Sequence, residues 1–585
     1  EIRPRDWSSD VCSSDLHRRD LDLVQRELRA TPGVTIIVYD QMCATEKRRL
    51  AKRGKTRAPR VRPFINERVC EGCGDCGAYS NCAAILPLDT PIGRKRRIDQ
   101  SSCNVDLSCI EGFCPSFVTV EGQQLQGTAR LPNIDEPMQE PAIAQPLANI
   151  VATGVGGTGV MTIGAVAGMA AHIIDVGCTV LDNTGMARKG GAVSSHIRIS
   201  AAGDQLHGSR IPDGRATLLL ACDMIAATAA EILAKIERGR TFVIANANTT
   251  PTFIQRLDPD DRFNPSPLLE RLQAAAGAER CDAIPASEMA EEMLGDSIYA
   301  NMLMFGYAFQ KGLAPLSTEA IDRAIALNGT AVDANRLAFK IGRRAAIERG
   351  ISHTDDRGGG EADNLDALIE MHATFLCEYQ DQRYAQRYRD VVARAREADQ
   401  AGGGGRREEF AMTVASTLFR LMAIKDEYEI GRLYTDGEFE RSLARRFSGD
   451  YKVRYHFAPP LLAWPGKDGR IRKWTFGPWI RPVLKTLAAM RRLRGTRFDG
   501  FGRTTERRLE RKLVLDYESL VSRLARDLTP DNRRVAVEAA SLYGTIRGFG
   551  HVKRATIDKA KFREAELMAA FDDLVASKAN RRSPG

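Results

Sequence analysis

Seven of the thirteen cysteines fall between Cys70 and Cys114, and their spacing is the strongest chemical signal in the chain. Cys70, Cys73 and Cys76 form C-x2-C-x2-C, Cys82 follows, and Cys103, Cys109 and Cys114 come later, with Pro115 directly behind the last. Thiolates at successive +3 positions wrap one corner of an iron–sulfur cubane, and a remote Cys-Pro closes it. Zinc is the rival reading. A structural zinc usually takes paired C-x2-C knuckles, and the segment has no second such pair. The expectation is one [4Fe–4S] cluster on Cys70, Cys73, Cys76 and Cys114. Cys82, Cys103 and Cys109 then remain for a second site that stays open: a three-iron cluster, a four-iron cluster with a non-Cys ligand, or nothing. Cys43, Cys178, Cys222, Cys281 and Cys377 read as small buried hydrophobes.

A second chemical signal is glycine. Gly154-x-Gly156-Gly157-x-Gly159 follows an apolar β-type run and opens a helical pattern, and Asp182 ends the next strand candidate. Bare backbone amides at a helix N-terminus accept an anion, and a Cβ would hold a phosphate off. By spacing alone this is a dinucleotide fingerprint with its ribose-binding acid; the alternative is a tight strand–helix turn without a ligand. Lys189-Gly190-Gly191, with Arg188, suits an anionic substrate or a coenzyme A phosphate equally as well as it suits a solvated loop. His196 and His551 are the most site-like histidines, and each reads first as a structural one. Trp464, Trp474 and Trp479 alternate with prolines and read as packing anchors.

The elements that must position these residues follow from periodicity. The chain has 585 residues, 43% hydrophobic and 27% charged, which is ordinary globular composition for several domains and excludes a disordered chain. Its net charge of +9 comes from basic residues scattered among acids, which does not favour nucleic-acid binding. The uncharged run from Ile150 to Ala171 is broken by glycines into strand, turn and helix, so no membrane span is expected. Strands are expected at 148–153, 179–181, 195–199, 216–221 and 241–245, with helices after Gly159 and after Asp223. The apolar run Val34 to Tyr39 reads as a buried parallel strand behind a helix. Prolines among polar residues at 131–146 read as a linker. Beyond residue 357 the pattern turns helical and highly charged.

These residues converge on a family. IIVYDQMCATEKRRL, NERVCEGCGDC and GRKRRIDQSSCNVDLSCIEGFCPSFVTVEG closely resemble the fused indolepyruvate ferredoxin oxidoreductases of the 2-oxoacid:ferredoxin oxidoreductase superfamily. GVGGTGVMTIGAVAGMAAH and GMARKGGAVSSHIRIS resemble the gamma-type domain of those enzymes, and LMAIKDEYEIGRLYTDG, FGPWIRP and GFGHVKRA resemble their helical carboxyl-terminal domain. The resemblance implies an α/β multidomain protein. It comprises a ferredoxin-like [4Fe–4S] domain at 63–127, a linker at 128–147, a doubly wound gamma-type α/β domain at 148–357 and a mostly helical domain at 366–585. Residues 17–62 are expected to be a remnant of a thiamine-diphosphate-binding domain, and 1–16, with Cys12, to be non-native adapter-like sequence.

The implied reaction is oxidative decarboxylation of an aryl pyruvate such as indolepyruvate to its acyl-coenzyme A. Electrons pass through iron–sulfur clusters to ferredoxin, in a cytoplasmic enzyme that is a homo-oligomer at full length. The resemblance also makes coenzyme A, or a purely structural turn, the better reading of Gly154–Gly159. One departure is decisive for activity. Members hold thiamine diphosphate and Mg²⁺ with a Gly-Asp-Gly motif, and none occurs here; Gly203-Asp204-Gln205, Gly295-Asp296-Ser297 and Gly449-Asp450-Tyr451 come nearest. The expectation is therefore an amino-terminally truncated chain, inactive alone. Two other classes stay in view: a nicotinamide- or flavin-linked iron–sulfur reductase, and a non-catalytic electron-transfer subunit.

Overall fold

The computed structural model describes residues 16–585 except 53–54, 57–58, 123, 126–133, 135–136, 144–145, 186–189, 201–205, 249–263, 349–363, 402–407, 459–472 and 583–585. The chain divides into two compact units, Glu1–Ala58 and Pro59–Gly585.

The first unit holds α1 (Leu21–Ala30) and α2 (Ala44–Lys52). The strand expected at Val34–Tyr39 does not form: the segment has no regular secondary structure, and Val34 is 94% exposed. Hydrophobic β-branched residues make a strand only when another strand takes up their backbone groups, and none of the described residues of this unit does so.

The second unit opens with β1 (Val61–Ile65), α3 (Asp75–Ser80), the hairpin β2 (Ile85–Thr90) and β3 (Gly93–Ile98), and β4 (Phe117–Glu121). The two-residue strand β5 (Gln124–Leu125) follows. An α/β region comes next: β6 (Leu147–Val155), α4 (Val160–Ile173), β7 (Gly177–Thr184), β8 (Ala192–Ser200), β9 (Leu218–Ala221), β10 (Phe242–Asn246) and β11 (Cys281–Ile284). These strands lie in the order β11-β10-β9-β6-β8-β7. The β9, β10 and β11 pairings and β6 with β9 are parallel, while β8 runs antiparallel to both neighbours.

Alternate side chains of the sheet enter two separate cores, as a strand's period of two requires. Ile150, Ala152, Leu218 and Leu220 face α4 and the helices α5 (Ala300–Gln310) and α6 (Val332–Glu348); Val151, Leu219, Ala221 and Val243 face the other side. Helix α5 is buried all round, and it lies so close to α6 that a Cβ at Gly342 would collide with the Leu303 carbonyl. All five strands expected in the α/β region are present, and β11 is the strand of its sheet that was not foreseen.

The remaining chain is largely helical: α7 (Leu365–Tyr379), α8 (Gln382–Ala401), α9 (Glu409–Met422), α10 (Glu427–Leu433), then the short β12 (Phe447–Ser448), β13 (Lys452–Phe457) and β14 (Trp474–Phe476), and α11 (Ile480–Ala489), α12 (Thr505–Arg526), α13 (Arg533–Leu542) and α14 (Gly550–Arg582). Thr504 caps α12 by accepting the Arg507 amide, and Leu513, Tyr517, Leu520, Val521 and Leu524 fall on one face of that helix, inside the core. The strands β13 and β14 do not stay with the helices. They join β4 and β1 in one four-stranded sheet, ordered β1-β4-β13-β14, so the cysteine segment and the carboxyl-terminal part share a sheet. Among the described residues no helix is long and apolar enough to cross a membrane.

Candidate metal centre and glycine loop

The cysteines are placed by turns around α3 and β4. Cys70 and Cys73 lie in the loop after β1, Cys76 in the first turn of α3, and Cys114 just before β4. Gly72 and Gly74 both have positive φ, 67° and 81°, and a Cβ at Gly72 would collide with the Arg94 carbonyl. The loop therefore needs glycine to fold back over β3. Cys70, Cys76, Cys103, Cys109 and Cys114 are buried, while Cys73 and Cys82 are half-buried.

By their mutual interactions the thiols fall into two groups. Cys73 and Cys76 each interact electrostatically with both Cys70 and Cys114. Cys109 interacts with Cys103 and Cys82, and Cys76 is the bridge between the groups through Cys109. Burial first, and then the neighbouring thiols, push Cys73, Cys76 and Cys109 well above the ordinary thiol range. Burial likewise takes Cys114 up to about 11. Thiols so crowded become thiolates only against positive charge, which a bound metal supplies.

Donors surround the sulfurs. The Gly72 amide donates to Cys70 Sγ at 3.3 Å, the Ala84 amide to Cys82 Sγ at 3.4 Å and the Val105 amide to Cys103 Sγ at 3.4 Å, and Ser116 Oγ lies 2.9 Å from Cys114 Sγ. Fixed cations complete the setting: Lys95 acts on Cys70, Arg96 on Cys76, Arg62 on Cys103 and Lys473 on Cys114, each favouring the thiolate. Arg94, Lys95 and Arg96 are all buried although they are consecutive on β3. Glu71 acts on Lys95, Lys425 and Lys553, and Lys553 Nζ also lies 2.6 Å from Glu510 Oε1, which balances part of this charge.

A tetrahedral zinc draws its ligands onto one point, and among the described residues no three Cys, His, Asp or Glu side chains are gathered that closely. A cubane makes a different demand, since each of four thiolates binds a different iron, and amide donors to sulfur are part of how such clusters are tuned. The second group of three thiols has the Asp106 carboxylate against Cys103 and Cys109.

Sequence reading missed Asp106 and, more importantly, Lys473. Its ammonium donates to the carbonyls of Ile110 and Cys114, both at 2.7 Å, and it comes from a part of the chain more than three hundred residues away. Only the FGPWIRP stretch beside it gave a signal, and that signal was attached to packing. The tryptophans there are corrected: Trp474 is 54% exposed on the edge strand and Trp479 is 65% exposed at the start of α11, while Trp464 lies outside the described residues. Cys43 and Cys377 are also exposed rather than buried. His551 is exposed, its ring 5.4 Å from that of Phe113, and His196 is a buried structural histidine whose Nδ1 accepts the Ile211 amide.

The glycine loop joins β6 to α4 as expected, but its surroundings differ from a dinucleotide site. Asp182 stands on β7, and β8 intervenes between β7 and β6, so the acid is two strands away from the loop's strand. The Gly156 amide is already used, donating to the Gly191 carbonyl at 2.7 Å. Gly157 and Gly159 have φ of 93° and 99°, and Asn301 Nδ2 donates to the Thr158 carbonyl, fixing the turn. Gly154 faces inward, where a Cβ would press on Cys222 and Val160. The hydrogen bond to Gly191 brings the Gly190-Gly191 segment beside the loop; Arg188 and Lys189 lie outside the described residues.

A family model described as pyruvate ferredoxin/flavodoxin oxidoreductase matches residues 149–345, and a family of unknown function (DUF6537) matches residues 365–566. The chain is 33% identical, over 202 residues, to the protein named indolepyruvate oxidoreductase subunit IorB of Methanothermobacter thermautotrophicus, covering 34% of this chain and 98% of that one. It is 30% identical over 205 residues to the protein of the same name from Pyrococcus horikoshii, covering 34% of this chain and 96% of that one. Among solved structures, the gamma subunit of a keto/oxoacid ferredoxin oxidoreductase from Geobacter sulfurreducens matches at 21% identity and a TM-score of 0.25, over 34% of this chain and 98% of that one.

Proposed function

Because the chain belongs to the 2-oxoacid:ferredoxin oxidoreductase superfamily, we propose that it is the electron-relay and acyl-acceptor part of a cytoplasmic, oligomeric aryl-pyruvate oxidoreductase. Indolepyruvate is the proposed substrate, coenzyme A the acyl acceptor and ferredoxin the electron acceptor. Thiamine diphosphate with Mg²⁺ supplies the electron sink for decarboxylation, a chemistry that standard side chains cannot replace. With no Gly-Asp-Gly in this sequence, residues outside it must hold that cofactor.

The observation that carries the reading is the grouping of Cys70, Cys73, Cys76 and Cys114 among buried cations and sulfur-directed amides. These four hold a [4Fe–4S] cluster, and Cys82, Cys103 and Cys109 with Asp106 hold a second. Lys95, Arg96 and Lys473 offset the negative charge of the thiolates, which favours the reduced state of a relay. On the α/β side, Gly157, Gly159 and the Gly190-Gly191 segment with Lys189 receive the coenzyme A phosphates, since bare amides there allow close approach.

Anaerobic reconstitution of the full chain with iron and sulfide is the test. It should give a brown protein holding iron and acid-labile sulfide in equal amounts. Stoichiometric zinc without sulfide would sink the reading. The chain by itself, given indolepyruvate, thiamine diphosphate, Mg²⁺ and coenzyme A, should not reduce a viologen dye.

A further inference from the structure

A cavity of about 300 Å³ opens in the helical part, between the end of α7, α8, the start of α10 and α12. That is the size of a small-ligand site. Its lining falls within residues 379–515, inside the stretch matched by the family of unknown function, and includes neither a cysteine nor the glycine loop. The walls are aromatic and cationic. Tyr384 and Phe501 are half-buried on them, and the guanidinium of Arg494 lies 3.7 Å from the centre of the Tyr379 ring. Arg387 and Arg511 stand nearer the mouth, since each side chain is 40% exposed, against 8% for Arg494.

Charge alone does not select a ligand here, because each of these guanidiniums already faces a carboxylate: Arg387 faces Glu518, Arg494 faces Asp426 and Arg511 faces Asp499. The bonding capacity left over does select one. Both oxygens of Asp426 are engaged, by Arg494 and the Glu429 amide. Both oxygens of Asp499 are engaged too, by Tyr428, Arg511 and the amides of Gly495 and Gly502. Donors, by contrast, remain. Arg387 grips Glu518 through Nε and Nη2, and Arg511 spends its two Nη atoms on Asp499 and the Gly502 carbonyl. Arg387 Nη1 and Arg511 Nε are thus left without a partner among the described residues. The Tyr379 hydroxyl has none either, although its side chain is only 1% exposed. Gln380 adds a spare amide, acceptor and donors together.

Spare donors beside saturated acids call for an acceptor, and aromatic walls call for a flat ring. We propose that this cavity binds a small aromatic carboxylate, its ring against Tyr384 and Phe501 and its carboxylate on the free donors of Arg387, Arg511 and Tyr379. A doubly charged phosphate suits the cavity less, because Asp426 and Asp499 stand on the same walls. The inference is independent of the electron-relay reading of the cysteines and gives the helical part a role of its own.

Calorimetry of the full chain with indole-3-acetate as probe should show one site with a dissociation constant on the order of 10 µM. Octanoate, an acid without a ring, and tryptamine, the same ring with a cation, should each bind about tenfold more weakly or worse. Arg387→Met should cost about tenfold in affinity for indole-3-acetate. Tyr379→Phe should weaken binding several-fold and leave the melting midpoint of the ligand-free protein unchanged, because the hydroxyl it removes strands no partner; a packing role alone would not give that split. No binding at millimolar indole-3-acetate overturns the proposal, as does an affinity that both variants leave intact. Tighter binding of octanoate, tryptamine or adenosine monophosphate than of indole-3-acetate overturns it equally.

Discussion

The α/β region and the cysteine segment are built on opposite plans. Among the described residues, both cores of the α/β sheet draw on residues between Ile134 and Ala346, so that region buries its own hydrophobic faces. The core around the cysteines draws on Phe64, Val69 and Phe117 but equally on Tyr434, Phe439, Phe447, Tyr455 and Phe549. Its sheet is likewise half carboxyl-terminal, with Arg454 opposite Thr119 and Tyr455 opposite Val118. The difference teaches that a cluster-binding sequence of this size is not a free-standing module here. Too few apolar residues lie within it to close a core, and the helical part supplies the rest.

The largest effect should come from cutting the two plans apart. Residues 146–348 expressed alone should give a cooperatively melting domain by circular dichroism, whereas residues 59–127 alone should show no cooperative transition and retain no iron after desalting. If the short piece folds and holds a cluster, the composite core is not required and the contrast fails.

Within the composite core, Cys73→Ser should remove more iron than Cys109→Ser, because Cys73 sits in the compact C-x2-C-x2-C motif with a full set of four thiols, whereas Cys109 belongs to a three-thiol group that holds its iron less completely. Iron and sulfide analysis of the two reconstituted variants decides it, and equal loss would mean that the groups assemble as one unit.

Lys473→Met should be next. It leaves the Ile110 and Cys114 carbonyls without their buried donor, at a cost of about 1–3 kcal/mol for each unsatisfied group. A denaturant melt should show that loss in the composite core while the 146–348 domain, melted separately, is unaffected by definition. An unchanged midpoint would show the lysine to be dispensable for packing.

His456 sharpens the comparison with pH. Its ring lies between Thr119 Oγ1 at 3.0 Å and Thr475 Oγ1 at 3.2 Å, tying β4 to β14, and burial lowers its pKa to about 4. The folded state therefore prefers the neutral ring. The stability from this group is complete above the unfolded histidine value of about 6.5 and is lost as pH falls from there toward 4. His456→Gln should flatten that part of the stability–pH curve; an unaltered curve would place the acid sensitivity elsewhere.

The smallest effect is expected at the glycine loop. Calorimetry should detect no NAD(H) or NADP(H) binding tighter than about millimolar, because the Gly156 amide is engaged and Asp182 is two strands away. A micromolar constant abolished by Gly156→Val would restore the dinucleotide reading.

Much of this molecule is determined by local sequence. Glycine and proline punctuation with apolar runs set β6, β8, β9 and β10, because that pattern operates over a few residues of chain. What the tertiary structure alone decided depends on pairing across long separations. Val34–Tyr39 has every side chain of a strand and pairs with no strand among the described residues; Asp182 has the right distance in sequence and the wrong neighbour in the sheet. Lys473 reaches the cysteines only because β13 and β14 add to β4. Spacing along the chain specifies which residues can act together locally, but which strand lies beside which is fixed by closing long loops around a shared core, and no window of sequence contains that term.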